Sequence, residues 1–218
     1  MNESGIAAPS LPAYLLYPVA LLTLFAIVMV AARTGNRSAV FAIVTAWLRY
    51  VMQAFHTITY KPLVAGMSAN AVASIGFFLV GLLAIDIRHL TLRFLIPFYL
   101  LIVLAVASAI SNGALGTGLI TVVTKHGYLI VVILSVFNAM RKARDGDFMT
   151  SLLWAFAPVL VYQALSFAFG ISKHTETDVN ANSYIGGFNH EAVFSVILAT
   201  GLTVACFTTR LNKYLKYA

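Results

Sequence analysis

The side chains able to do chemistry in this chain are few, and most of them are cations set among apolar residues. Arg49 falls inside the run VFAIVTAWLRYVMQAF, and Lys125 falls inside GLITVVTKHGYLIVV with His126 beside it. The last apolar run opens with SYIGGFNHEAVFS, which brings together Asn189, His190 and Glu191, the one acid found within such a run. Arg49 lies eleven residues beyond Ser38, about 16 Å along a helix rising 1.5 Å per residue. At that depth in hydrocarbon an arginine costs at least ~2.5–3.5 kcal/mol unless it is paired or wetted. Lys125 lies nearer a helix end and can extend its ammonium outward.

Two arrangements answer that cost. Glu191 can pair with Arg49 or Lys125 as internal glue. Alternatively, the surplus positive charge, enlarged by His56, Lys61, Lys173 and His174, makes a cavity for an anion. Free amides after Gly186 and Gly187, at the start of a helix, favour phosphate-like groups, while Asn189 is equally readable as that helix's cap. His190 is the one side chain there of a type able to shuttle a proton near neutral pH, or it simply packs and hydrogen-bonds as a lone histidine. The pair His190–Glu191 is not a zinc signature, because Phe194 stands where HExxH has its second histidine. Cys206 is the single cysteine, so neither a disulfide nor a CxxC site forms within the chain, and the residues call for no metal or cofactor.

Cations for a phosphate or pyrophosphate, one histidine for proton transfer and no nucleophile triad are compatible with glycosyl or phosphoryl transfer from a lipid-linked donor. His190 and Glu191 are then the catalytic candidates, and Arg49, Lys125, His126 and Asn189 the ligand-binding ones. A small proton-coupled carrier using Lys125, His190 and Glu191 is a competing use of the same residues, weakened by the lack of inverted repeats. A non-catalytic subunit of a larger membrane complex is a third.

The elements that must position these groups follow from composition. Of 218 residues, 61% are hydrophobic and 10% charged, against about 25% charged in a soluble domain. A bilayer core about 30 Å thick needs roughly 20 apolar residues per span. Such blocks occur near 11–32, 39–58, 63–85, 94–111, 115–140, 149–171 and 187–208. The expectation is an all-α, polytopic membrane protein of about seven transmembrane helices, forming one domain over 1–218 in contact with the lipid bilayer. The joints are short and polar, with no repeat and no room for a soluble domain. Gly113, Gly116 and Gly118 lack the Lys-Ser/Thr of a P-loop and suit packing or a hinge.

Basic residues fix the expected orientation. One set of alternate joints carries Arg33, Arg37, Arg88, Arg93, Arg141, Lys142, Arg144, Arg210, Lys213 and Lys216, whereas the other carries only Lys61 and Lys173. Cytoplasmic loops hold the Lys and Arg excess, so the N-terminus is expected outside and the C-terminus inside. The opening MNESGIAAPSLPAY lacks the basic start of a cleaved signal peptide. The net charge of +7 is spread between apolar blocks rather than gathered on one face, which argues against a nucleic-acid partner.

Three segments carry a family resemblance: RYVMQAFHTITYKPLVAGMSANAVAS at 49–74, the Lys-His-Gly-Tyr of 125–128, and YIGGFNHEAVFSVIL at 184–198. Together they resemble the O-antigen ligase and polysaccharide polymerase group of bacterial envelope proteins, particularly its exopolysaccharide branch. The last segment is similar to that group's glycine, then Pro-Asn or His-Glu, then small-residue pattern at a helix start. The resemblance implies an inner-membrane, multi-pass protein that handles undecaprenyl-pyrophosphate-linked glycan on the periplasmic side, with Asn189, His190 and Glu191 carried over by motif. Members are usually about twice this length and continue into further helices and a periplasmic loop with essential Arg and His residues. The likeness therefore covers what corresponds to the N-terminal half, as in a fragment, one piece of a split enzyme working with a second membrane subunit, or a reduced relative.

Overall fold

The computed structural model describes residues 11–64, 66–113, 116–142, 147–174 and 182–208. Every one of the seven apolar blocks holds a helix. In chain order the helices are α1 (Ala13–Thr34), α2 (Arg37–Ala54), the single turn α3 (His56–Thr59), α4 (Ala69–Ala84), α5 (Ile96–Ser111), α6 (Thr117–Lys142), α7 (Asp147–Leu153), α8 (Ala157–Ala168) and α9 (Glu191–Cys206). Two small antiparallel ribbons interrupt them: β1 (Pro62–Val64) with β2 (Met67–Ser68), and β3 (Lys173–His174) with β4 (Asn182–Ser183).

Four stretches are long and apolar enough to cross a membrane: Ala13–Thr34, Arg93–Ser111, Val122–Lys142 and Phe148–Ala168. The other three blocks make shorter or more polar helices. α4 and α9 have 16 residues each, about 24 Å of helix against a core about 30 Å thick. α2 has 18 residues and includes Arg37, Arg49 and Gln53.

The differences from the expected bounds have local causes. The second block stops at Ala54 rather than 58, because the chain turns at Phe55 into α3. The third starts at Ala69 rather than 63, because Pro62–Val64 and Met67–Ser68 pair as the first ribbon and Ser68 then caps α4, accepting from the Ala71 amide at 3.3 Å. The sixth is broken by a 3-10 turn, Trp154–Phe156, just ahead of Pro158, whose ring cannot continue a regular helix. The seventh begins at Glu191 rather than 187, since Gly186 and Gly187 both have left-handed backbone (φ 64° and 79°).

α2 is the central strut. On one flank Ala42, Ile43, Trp47 and Val51 join a core built with α1, α7, α8 and α9, and on the other Phe41 joins a second core with α4, α5 and α6. Trp47 Nε1 donates to Thr23 Oγ1 of α1 at 3.0 Å, and Ser38 Oγ donates to the Ala84 carbonyl at the end of α4 at 2.7 Å. Gly81 lets α4 close on its neighbours, since a Cβ there would meet Val131 at 2.1 Å and Phe41 at 2.6 Å. The outward faces remain apolar: Leu22 and Phe25 of α1 and Leu104 of α5 are each at least 70% exposed. Such an apolar exterior suits lipid as the surrounding medium.

The connections place the bundle's ends. Ser38–Ala84 and Arg141–His89 contacts mark one end, and Arg49–Asn70 and Gly187–Leu11 contacts mark the other.

Candidate functional site

Two polar clusters form at the end marked by Arg49 and Gly187. The first is Arg49 itself. Asn70 and Ser74 stand four residues apart on α4 and so share a face. Arg49 Nη1 donates to Asn70 Oδ1 and, at 3.5 Å, to the Asn70 carbonyl, while Nη2 donates to Ser74 Oγ at 2.6 Å. Ser74 in turn donates to the Asn70 carbonyl at 2.8 Å. The guanidinium carbon lies 5.1 Å from the Tyr128 ring centroid on α6 and 5.7 Å from that of Phe77 on α4, within cation–π range. The Tyr128 phenol also stands beside Thr45 of α2.

Every group that meets Arg49 is neutral. The expected alternative of an Arg49–Glu191 ion pair is not what forms; among the described residues no carboxylate balances this guanidinium. Its depth is also revised: with α2 ending at Ala54, Arg49 is five residues, about 8 Å, from that helix end rather than near the middle of a longer span.

The second cluster surrounds the turn before α9. Ile185 and Phe188 are buried pegs, with the Phe188 ring 5.5 Å from that of Phe194. Between them Gly186 comes so close to α8 that a Cβ would lie 2.8 Å from the Gln163 nitrogen, and one on Gly187 would lie 3.2 Å from the Leu11 nitrogen. Those glycines serve a tight approach to α8 and to the start of α1, and α9, with its first-turn amides, begins after them at Glu191. The residue at the cap position is His190, without a side-chain cap bond, so Asn189 is not the cap.

The pegged turn holds Asn189, His190 and Glu191 in register. Lys173 Nζ donates to the Asn189 carbonyl at 2.7 Å, and Asn189 Nδ2 lies 3.0 Å from His190 Nε2, which accepts if the amide donates. His56, buried at 8% exposure, faces the same turn. Its pKa is lowered from the ordinary histidine value, first by burial and then by the charges of Lys173 and His190, with the Gly187 and Gln53 backbone acting in the opposite sense. His56 Nδ1 and Glu191 Oε1 are both buried without a hydrogen-bond partner among the described residues.

Lys125 and His126 belong to neither cluster by any contact that is seen. Lys125 is exposed on α6, and His126 Nδ1 lies 2.8 Å from the Val122 carbonyl, so Nδ1 carries the proton there. His174 pairs through its backbone with Asn182. Asn70, Ser74 and Tyr128 were not singled out as site residues from sequence. The spacing Asn70–Ser74 was the available signal, but such pairs are common where α4 starts, and only the packing of α2 on α4 gives them a cation. Among the described residues no cluster of His, Cys, Asp and Glu could hold a metal.

No family model, curated protein or solved structure matches this chain.

Proposed function

We propose that this is a multi-pass protein of the bacterial inner membrane, with about seven spans and the Arg49 and Asn189 end outside, that binds the diphosphate head of a polyprenyl-linked glycan in envelope polysaccharide synthesis. One observation carries the proposal: Lys173, Asn189, His190 and His56 converge at the pegged turn, and the next residue along, Glu191, holds a buried oxygen with no hydrogen-bond partner among the described residues. An orphaned buried acceptor one residue along from a histidine, at a turn with a lysine, is a place where an acceptor hydroxyl or a water would be held. In this scheme His190 and Glu191 handle the proton, and Asn189 and Lys173 face the phosphates. Arg49, whose charge no acid cancels among the described residues, contributes attraction from within the bundle. Lys125 and His126 join them only by extending toward the same face.

A second reading is favoured by the neutral cage of Arg49, which ties α2 to α4 and α6 as a purely structural clamp would. In that case the chain is a non-catalytic membrane subunit.

The two are separated by measuring binding of an undecaprenyl-pyrophosphate-linked oligosaccharide to the purified protein, and its transfer with and without a co-expressed membrane partner. Saturable binding that is lost in His190→Ala and Lys173→Ala supports the first. Absence of both binding and transfer, with the variants otherwise intact, ends it.

A further inference from the structure

At the opposite end of the bundle, the joint between α2 and α4 encloses an open groove of about 370 Å³. The bond from Ser38 Oγ to the Ala84 carbonyl holds the first turn of α2 against the last turn of α4, and the chain then leaves α4 through Ile85 and Asp86. Asp86 accepts the Arg88 amide at 3.1 Å, so its carboxylate caps the following 3-10 turn, Ile87–Thr91, and sets where Arg88 stands. Arg37 and Arg88 line the groove together with Asp86, Leu82, Leu83 and Ile87. Among the described residues neither guanidinium is paired with a carboxylate. The lining therefore keeps one net positive charge, and the N-terminus of α2 adds partial positive charge of its own.

The rest of the lining is apolar, and part of it faces outward, with Leu83 77% and Ile87 69% exposed while Ile85 is buried. A free phosphate would gain from the arginines and nothing from the leucines. An uncharged lipid tail would do the reverse. The molecule that satisfies both is amphiphilic and anionic.

We propose that this groove is a binding site for an anionic phospholipid, its phosphate held between Arg37 and Arg88 and its first acyl carbons laid along Leu82, Leu83 and Ile87. The inference rests on the membrane reading above, and it concerns the opposite end from the glycan site. The location is apt: this is the end where Arg33, Arg93, Arg141 and Lys142 also lie, so an anionic leaflet is drawn to it.

The test is native mass spectrometry of the full chain released from detergent micelles containing equal dioleoyl phosphatidylglycerol and dioleoyl phosphatidylcholine. Retention of phosphatidylglycerol is expected to exceed that of phosphatidylcholine by about tenfold or more, the scale set by two arginines near a lipid phosphate. R37Q/R88Q should lose most of that preference, whereas R33Q/R93Q, which removes the same charge from the same end, should change it less than about twofold. Arg88→Glu, which leaves the start of α2 untouched, should abolish it as well. Equal loss in both double variants, no preference in the parent, or displacement of the lipid by inorganic phosphate alone would overturn the site. Binding of the glycan donor in R37Q/R88Q stays at the parent level if the two ends are independent, so failure of one proposal is distinguishable from failure of the other.

Discussion

The two polar clusters near α2's last turns treat their charged groups in opposite ways. Around Arg49 every exposed need is met: two oxygens of Asn70, one of Ser74 and two aromatic faces receive a single guanidinium. Around the Gly186–Glu191 turn part of the need is left open: His56 Nδ1 and Glu191 Oε1 are buried with no hydrogen-bond partner among the described residues. Buried polar atoms are normally satisfied, so the unmet ones are where a ligand or water adds something. A charge deep in an apolar run is a signal of importance, but its partners decide whether it holds helices together or receives a guest.

The contrast is broken most severely at Gly186. Gly186→Ala places a Cβ on backbone atoms of Tyr162 and Gln163 while demanding left-handed backbone from an alanine. The expected loss is about 2–5 kcal/mol, combining the left-handed penalty with overpacking. A steep fall in monodisperse yield and melting temperature, with the bundle around Arg49 sharing in it, would show that the turn is part of the core; a fully stable variant would show that it floats.

Arg49→Ala comes next. It strands the Asn70 and Ser74 oxygens and removes both cation–π contacts, an expected cost of about 2–4 kcal/mol. Lys173→Ala should cost less in melting temperature while reducing ligand binding more. Reversal of that order would make the Arg49 cage the binding site and the turn the scaffold.

His56 sharpens the comparison through pH. Its pKa is lowered in the folded protein, so the unfolded chain binds the extra proton first as the solution is acidified. Stability is thus unaffected well above the ordinary histidine value of about 6.5 and declines as pH falls through that value toward the lowered one. Melting temperatures followed from about pH 7.5 to 5 should fall for the parent and flatten in His56→Gln. A parent curve that rises toward acid would contradict the burial described for this ring.

The smallest effect is assigned to Lys125. Exposed and without a contact among the described residues, it should be replaceable by alanine within about 0.5 kcal/mol, and without change in ligand binding. A large loss of affinity in Lys125→Ala would bring α6 into the site and restore the grouping expected from its sequence position.

The helical blocks were legible because apolar length is a property of the chain alone: each run above about 16 residues became a helix, and the polar joints became its ends. Their limits were less legible. Leu63, Val64, Met67, Gly187 and Phe188 read as helix by composition, yet a ribbon and a glycine pair claim them through backbone conformation and cross-chain approach.

For the site, the sequence alone singled out Arg49 and the Asn189–Glu191 triplet, because a charge among apolar residues is visible without coordinates. It did not join Arg49 to Asn70 and Tyr128, or His56 to Gly187, since those partners are separated by 21 to 131 positions and meet only when helices pack. Burial and hydrogen bonding are properties of pairs that folding brings together. For that reason the residue types fixed which charges must be accommodated, while the packing of α2, α4, α6 and the turn before α9 determined which were satisfied and which were left exposed to a ligand.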